Sequence, residues 1–441
     1  KVEGDEDADS FASDAFAGLA TVLIGLTIVA MVAMPWLIYG LASGFAGQEQ
    51  FGLSVEFGRI VFPYILFISL AALLSGMLNA SGRFAAAAAA PVLLNVLLIA
   101  AMTLAALAGA DVARALIWTI PAAGVAQFVL LWVAVKRAGF NLTIKRPRMT
   151  PEIRNLVRVA IPAALAGGVV QVNLLVGQQV ASYFDKAVSW LFAADRLYQL
   201  PLGVVGIAVG VVLLPDLSRR LKSNDEAGAK IALSRAGEIA LALTIPSAVA
   251  LMIIPLPLVS VLFERGAATA QDSAAIALAV AIYGLGLPAF VLQKIMQPIY
   301  FAREDTKRPF HYALVSMVVN AGLAIGLAPV IGWFAPAIAT TLAAWVMVVQ
   351  LHIGARTYGD VARFDDRFRK RIWRMVLASA IMGAVLWVTA ALLTPFLGIA
   401  WWRALALAVL IAIGMASYFV AGQLFGAFRL SEFKAAMRRS G

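Results

Sequence analysis

The sequence contains no cysteine and only two histidines, His311 and His352, among its 441 residues. The absence of cysteine excludes disulfides and thiolate metal sites, and the histidines do not have the spacing of metal ligands. No phosphate-binding glycine loop, HExxH zinc motif or GxSxG nucleophile elbow is present. We therefore expect no metal, no other cofactor and no enzymatic activity.

Charged residues are also scarce, at 13% of the chain, whereas hydrophobic residues make up 62%. A soluble domain needs roughly a quarter of its residues charged, so lipid must cover much of this protein. The net charge of +11 would suggest nucleic acid in a soluble protein. In a membrane protein, basic residues in cytoplasmic loops explain it better, and we expect no nucleic-acid partner.

Long apolar runs make up most of the sequence. A run of about 20 apolar residues can cross a bilayer as a helix. They are too uniformly apolar to be alternating barrel strands. The sequence thus predicts an all-α, polytopic bundle of transmembrane helices, with prolines inside several runs marking kinks. The twelve predicted spans are 15–42, 57–80, 88–109, 113–135, 155–184, 186–215, 230–263, 273–302, 309–329, 333–355, 373–394 and 401–427.

Every second connection between these spans is basic. Arg83 marks the first such connection, and clusters follow at 136–148, 219–222, 303–308, 356–371 and 429–439. The other connections have no basic cluster, although single basic residues occur near them. By the positive-inside rule the basic side is cytoplasmic, and an even number of spans places both termini there.

A faint internal repeat has an offset of 225 residues, at which Pro63 meets Pro288, Arg83 meets Arg308 and Asn95 meets Asn320. Chance remains an alternative explanation for three identities. A real repeat would have a unit of six helices, of which the first copy here has only the last four. The chain also starts at Lys1 in an acidic stretch, without Met or a signal peptide. We therefore expect two helices to be missing before this start.

Asp195 and Arg196 are the strongest candidates for a functional role. They lie nine residues beyond Lys186 at the outer end of the sixth span, or roughly 14 Å along a helix. Charges in mid-membrane are costly and normally face a cavity or a partner. One hypothesis is a cavity cation, Arg196, which binds an anionic substrate and is oriented by Asp195; the alternative is a structural ion pair. Gln199, one turn further, could share their face or be a packing residue.

Three further basic residues are candidate substrate contacts. Lys294 interrupts the eighth span and could face a cavity or extend toward the membrane surface. Arg83 and Arg308 occupy repeat-equivalent cytoplasmic turns, where they could contact lipid phosphate at the inner mouth or serve only as positive-inside anchors. Asp272, in an outward connection, is expected to be solvated.

The segment from Asp195 to Arg220, DRLYQLPLGVVGIAVGVVLLPDLSRR, resembles the signature segment of the MurJ/MviN family, the bacterial lipid II flippases. FPYILFISLAALLSGMLNASGRF (62–84) and LFERGAATAQD (262–272) resemble it too, and the likeness extends over essentially the whole chain. The resemblance implies fourteen helices in two six-helix lobes and two extra helices. Residues 1–136 would be an incomplete first lobe of four helices, 137–356 the second lobe, and 357–441 the extra helices and a cytoplasmic tail.

The resemblance also implies a function. The family moves lipid II, the undecaprenyl-pyrophosphate-linked peptidoglycan precursor, to the outer leaflet through a cationic central cavity. Asp195 and Arg196 match its charged pair, whereas Gln199 stands where some relatives have an acidic residue. We expect an inner-membrane, monomeric flippase that works by alternating access, with lipid II and membrane lipids as partners and a coupling ion left open.

Two rival functions remain from the sequence, together with a scaffold without transport activity, which only the missing helices would make plausible. A multidrug/cation antiporter or polysaccharide-lipid exporter is the nearer one, but an antiporter would favour a buried acid without a basic neighbour such as Arg196. A membrane-embedded glycosyltransferase would need catalytic carboxylates and a sizeable outer loop. The outward loops here are short and poor in acids, which argues against it.

Overall fold

The computed structural model describes residues 5–143, 145–208, 213–223, 225–399 and 401–427, and these contain helices and no strand. This confirms the all-α fold class.

Short 3₁₀ turns occur at Ser43–Phe45, Gly332–Phe334 and Arg356–Ala362. The basic tail at 429–439 lies outside the described residues. The α-helices are α1 (Asp5–Val32), α2 (Met34–Leu41), α3 (Glu49–Val61), α4 (Tyr64–Ala80), α5 (Ala85–Leu107), α6 (Val112–Arg137), α7 (Pro151–Ala181), α8 (Ala187–Ala208), α9 (Leu214–Lys222), α10 (Glu226–Ile253), α11 (Pro255–Phe263), α12 (Ala270–Phe301), α13 (Lys307–Ile331), α14 (Ala335–Ala355), α15 (Asp366–Leu397) and α16 (Arg403–Leu424).

Each predicted span coincides with one of these helices or with two consecutive ones. In the part of the chain that the structure describes, nine stretches are long and apolar enough to cross a membrane. One of them, Lys307–Gly359, is 53 residues long and contains both α13 and α14. Helices α7 and α8 are not among the nine, so the count of twelve spans stays a prediction.

Prolines act differently along the chain. Pro35 and Pro255 lie in the first turns of α2 and α11, where a missing amide hydrogen costs nothing, and a new helix begins at each. Pro91, Pro201 and Pro288 instead lie inside the continuous helices α5, α8 and α12. Membrane helices tolerate such interruptions because neighbouring groups satisfy the freed carbonyls.

Contacts divide the chain into two compact units, Lys1–Gly167 and Gly168–Gly441. In the first unit, Leu74 and Leu78 of α4 and Leu131 of α6 form a fully buried core. The buried Gln127 of α6 donates to the carbonyl of Ala90 at 2.7 Å. Its side-chain oxygen also accepts a 3.2 Å hydrogen bond from the Tyr64 hydroxyl, so one amide ties α4, α5 and α6 together.

In the second unit, α12 is the most buried helix and packs against α8, α10 and α14. Its Tyr300 is fully buried and donates to the carbonyl of Leu351 at the end of α14, at 2.6 Å. Helices α15 and α16 pack on each other, and Met375 and Leu410 of this pair form a core with Ile254. The two extra helices are therefore part of this unit's packing.

A buried acidic residue anchors α15 to α10. The Glu238 side chain is 5% exposed and forms ion pairs with Arg371 at 3.0 Å and Arg367 at 3.5 Å, both on α15. It also pairs with Arg235 on its own helix, and Arg235 reaches Asp365 at 2.6 Å. Two carboxylates, of Glu238 and Asp365, thus bridge three arginines on α10 and α15, and these ion pairs fix the start of α15.

The internal repeat has a structural counterpart in each unit. Helix α6 packs against both α4 and α5, and α14 packs in the same way against α12 and α13. Arg83, after α4, donates to the carbonyl of Arg137 at the end of α6, at 3.3 Å. Arg308, after α12, donates to the Thr357 hydroxyl just beyond α14, at 2.6 Å. Both arginines thus bond near the ends of α6 and α14, one to a carbonyl and the other to a hydroxyl, and the repeat itself stays a prediction.

Large apolar side chains face outward along whole helices. Val22 is 67% exposed, Leu107 81% and Val330 79%. Such extensive apolar surface is incompatible with water and requires lipid. The protein is therefore a multi-pass membrane protein.

Candidate functional site

Helix α8 is fixed at its first turn by Asp272 of α12. The Asp272 carboxylate accepts from Lys186 Nζ at 3.2 Å and from Trp190 Nε1 at 3.0 Å. Lys186 has a positive φ of 57°, which is unfavourable for a non-glycine residue. The ion pair helps to hold this turn, and Trp190 packs edge-on against Trp333 with ring centroids 5.0 Å apart. These contacts set the position of every residue further along α8.

One face of α8 is buried against α12. Leu191, Ala194 and Tyr198 recur at the three- and four-residue spacing of a helix face, and all are buried. The Tyr198 ring lies 4.9 Å from that of Tyr283 and 5.2 Å from that of Phe290. Because this face is packed, the opposite face of α8 is held outward in a defined rotation.

The outward face carries the predicted polar residues. Gln199 donates a hydrogen bond to the Asp195 carboxylate, one turn earlier. The guanidinium of Arg196 lies over the ring of Phe192, 4.5 Å from its centroid. This is a cation–π contact, which stabilises the cation but leaves its hydrogen-bond donors available.

These residues line a cleft of about 410 Å³ within the second unit. Helix α8 forms one wall, and α7, α12 and α14 contribute the rest. Most of the lining surface is apolar, and half of the lining residues contribute a polar or charged side chain. The lining residues are Leu174, Gly177, Gln178, Ala181, Val188, Leu191, Phe192, Asp195, Arg196, Tyr198, Gln199, Tyr283, Pro336 and Thr340.

The arrangement favours a cavity cation over a structural ion pair. Among the described residues, no acidic side chain lies within ion-pair distance of the Arg196 guanidinium. Asp195 is adjacent in sequence but is hydrogen-bonded to Gln199 instead. Arg196 is therefore exposed to the cleft with its fork of donors free to bind an anion such as phosphate.

The other three predicted contacts lie apart from this cleft. Lys294 is exposed on α12 and is not one of the lining residues. Arg83 is exposed and contacts a backbone carbonyl in the first unit. Arg308 lies over the ring of Tyr358 at 5.4 Å and forms an ion pair with Asp305 at 3.3 Å. The contacts of the two arginines favour the alternative that they are structural anchors.

The prediction that Asp272 is solvated is wrong. The residue is 7% exposed, and it forms a capping box with Thr269 in addition to its bonds to Lys186 and Trp190. The sequence TAQD has the spacing of a capping box, and this spacing could have predicted that Asp272 is hydrogen-bonded. The long-range partner could not be found from local sequence.

Some cleft residues were also missed by sequence reasoning. Phe192 lies four residues before Arg196, a spacing that predicts contact on a helix. Gln178 of α7, Tyr283 of α12 and Thr340 of α14 reach the cleft only through tertiary packing. The assembled cleft presents a guanidinium, which suits an anion, together with side-chain amides and a hydroxyl, which suit neutral hydrogen-bonding groups.

Comparison with known proteins identifies relatives over nearly the whole chain. A family model described as "Lipid II flippase MurJ" matches residues 1–410. A probable lipid II flippase MurJ of Rhizobium tropici is 40% identical, over 100% of this chain and 84% of its own length. One of Rhizobium meliloti (strain 1021) is 42% identical, over 100% of this chain and 83% of its own.

Solved structures show the same fold. A lipid II flippase MurJ in an inward closed conformation superposes with a TM-score of 0.79 at 25% identity, covering 96% of this chain and 85% of its own. An inward-facing multidrug resistance MATE family transporter of the MOP superfamily superposes at 0.70, covering 81% of this chain and 82% of its own. At 17% identity the second likeness concerns the fold alone.

Proposed function

The chain belongs to the lipid II flippase MurJ family, and from this membership we propose that it moves lipid II across a bacterial membrane. Lipid II carries a pyrophosphate between its polyprenyl chain and its sugar. A carrier must offer this anion a cationic site inside the membrane and still release it, so the site needs few charges in a restricted space.

The observation that carries the proposal is the Arg196 guanidinium in the cleft. It lies over the Phe192 ring, and no carboxylate of the described residues is within ion-pair distance of it, so an anion can bind without breaking a close ion pair. In a mostly apolar cleft its attraction for a diphosphate is stronger than in water. Asp195 lines the same cleft, and its carboxylate accepts a hydrogen bond from Gln199.

The size of the cleft limits what it accepts. Its volume of about 410 Å³ lies at the lower end of ligand pockets, which span about 300–1,000 Å³. We assign to it the pyrophosphate and the adjoining sugar, with Gln178 and Thr340 as hydrogen-bonding partners of the sugar. The polyprenyl chain would remain in lipid. Lys294, which lies outside the lining, is proposed as a secondary cation.

The distribution of basic residues supports an orientation of the protein in the membrane. The negative charge of the cargo supports the membrane potential as the energy source. By the positive-inside rule, the basic residues of 136–148 and 356–371 support a cytoplasmic position for these connections, and we propose that the protein lies in the inner membrane. An inside-negative potential is worth about 2.3 kcal/mol per charge per 100 mV, and it favours outward movement of an anionic headgroup. We propose a monomer that exposes its cleft alternately to the two sides. Flipping in vesicles that continues unchanged after the potential is collapsed would transfer the driving role to a coupling ion.

The central test is complementation in cells depleted of their own lipid II flippase. The gene is introduced as wild type, Arg196→Ala, Arg196→Lys and a control, Arg158→Ala. Arg158 is an exposed arginine of α7 outside the cleft lining. Loss of a hydrogen-bonded charge costs about 2 kcal/mol, or roughly thirtyfold in affinity. Arg196→Ala should fail to restore growth at equal membrane abundance, whereas Arg158→Ala should restore it.

Arg196→Lys separates charge from geometry, because lysine keeps the charge but loses the planar fork. Partial rescue would assign the role to the charge and to bidentate binding together. Full rescue by Arg196→Ala would refute the cationic cleft. Failure of the well-expressed wild type would instead favour the nearest alternative, export of another lipid-linked or cationic compound, which the fold shared with the MATE transporter accommodates.

A further inference from the structure

A second cleft, of about 180 Å³, lies where α14 ends and α15 begins. Its lining consists of four basic residues, His352, Arg356, Arg363 and Arg369. His352 is in the last turn of α14, Arg356 follows that helix, and Arg369 is in the first turns of α15. Three separate elements therefore direct their basic groups to one small space.

This convergence is electrostatically unfavourable by itself. The charges of Arg356, Arg369 and Arg363 all act on His352, and like charges in one site repel. In the portion that the structure describes, neither Arg356 nor Arg369 forms an ion pair with an acidic side chain. The contrast is with Arg371, two residues beyond Arg369, which is neutralised by Glu238. An anion in the cleft would relieve the repulsion.

The surroundings of the cleft are typical of a membrane surface. Trp373 is one turn after Arg369 on α15 and is 71% exposed, as expected of a tryptophan at the lipid headgroups. On α14, Ile353 and Val349 are 55% and 53% exposed and continue an apolar face from the cleft toward the helix interior. A bound phosphate could thus be joined to acyl chains lying on these side chains.

We propose that this tetrad is a phosphate-binding site, separate from the Arg196 cleft, that accepts a phospholipid headgroup or a free phosphate. Arginine forks bind phosphate oxygens bidentately, and the three arginines surround a space of suitable size. The exposed apolar face below the cleft favours the headgroup. The site would hold the junction of α14 and α15 to the membrane surface and is independent of the cargo carried elsewhere.

The experiment titrates the purified protein in neutral detergent at fixed ionic strength. The probes are short-chain phosphatidylglycerol, short-chain phosphatidylcholine and inorganic phosphate, and the readout is the apparent Kd. The test variant is Arg356→Gln/Arg369→Gln. The control is Arg148→Gln/Lys370→Gln, which removes the same charge from exposed residues outside the cleft. Melting temperatures establish that both variants are folded.

We expect saturable binding of phosphatidylglycerol that is about tenfold weaker in the test variant and within about twofold of wild type in the control. Phosphatidylcholine should bind more weakly because it is neutral overall. Competition by inorganic phosphate at similar affinity would support the site but assign it to free phosphate. Equal weakening in both variants, or in neither, would overturn the proposal, because the arginines would then act only as diffuse surface charge.

Discussion

The charge network around Glu238 offers a quantitative test of how α15 is attached. In Glu238→Gln the side chain keeps its shape and loses its charge. Three guanidinium groups, of Arg235, Arg367 and Arg371, would then face one another without the central carboxylate. We expect the second unit to lose stability and α15 to detach first.

The expected loss in the free energy of unfolding follows from how far each arginine is exposed to water. Removing one partner of a fully buried pair costs about 3–5 kcal/mol. Arg235 and Arg367 are 29% and 44% exposed and can turn toward water, whereas Arg371 is only 13% exposed and cannot. The cost should therefore be near the lower limit, about 3 kcal/mol. With an unfolding entropy of roughly 2 cal/mol/K per residue, this lowers the melting temperature by about 3–5 °C.

The assay is thermal unfolding of the purified protein in detergent, followed by tryptophan fluorescence. Glu226→Gln is the matched control, because this acid is in the first turn of the same helix and is exposed. Comparing Arg371→Gln, Glu238→Gln and the double variant in a double-mutant cycle measures how much of the loss comes from this one ion pair. If Glu238→Gln melts within about 1 °C of Glu226→Gln, the network does not stabilise the protein and the reasoning fails.

Three other substitutions test separate contacts by the same melting assay. Hydrogen bonding from Tyr358 holds the pKa of Asp305 below its ordinary value of 3.8. The resulting stability is fully present above pH 3.8 and is lost as the pH falls through the lowered pKa, so Tyr358→Phe should destabilise the protein at about pH 6 and progressively less as the pH falls below 3.8; a difference that does not change with pH would contradict this. Asp272→Ala removes a capping box and two further hydrogen-bond partners and should lower the free energy of unfolding by about 2 kcal/mol. An unchanged melting temperature would show that other contacts hold α8 in place. In Gly237→Ala the new Cβ would lie 2.6 Å from a ring carbon of the buried Phe368, which should cost about 1–3 kcal/mol, and an unchanged melting temperature would show that the ring can move.

Much of the fold was predictable because the cause of a membrane helix is local. In lipid there is no water to bond the backbone N–H and C=O groups. A run of about twenty apolar residues therefore forms a helix, in which these groups bond one another, whatever its neighbours are. Whether a proline within such a run ends one helix or is accommodated inside it does not depend on local sequence alone. Pro35 and Pro288 both interrupt apolar runs, yet the first begins a new helix and the second lies inside α12. The difference depends on packing partners that only the tertiary structure supplies.

The candidate site shows the same limit. Asp195, Arg196 and Gln199 were predictable because their spacing fixes their relation on one helix, and the structure places all three in one cleft. Gln178 and Thr340 come from other helices and carry no local signal. Glu238 and Asp272 were missed or misjudged because their decisive partners are more than 80 residues away in sequence.

The polar groups inside the second unit divide into two kinds, and the division bears on function. Glu238 and Asp272 each have several partners of opposite charge or hydrogen-bond donors, so their burial cost is met within the protein itself. Arg196 lies against an aromatic ring, and among the described residues no carboxylate is within ion-pair distance of its guanidinium, so water or a ligand can satisfy its donors. A charge that the fold leaves uncompensated lowers stability when the cleft is empty and raises affinity when an anion fills it. Substituting Arg196 by a neutral residue should therefore leave the melting temperature unchanged or raise it while abolishing transport, the opposite of what a structural ion pair would do.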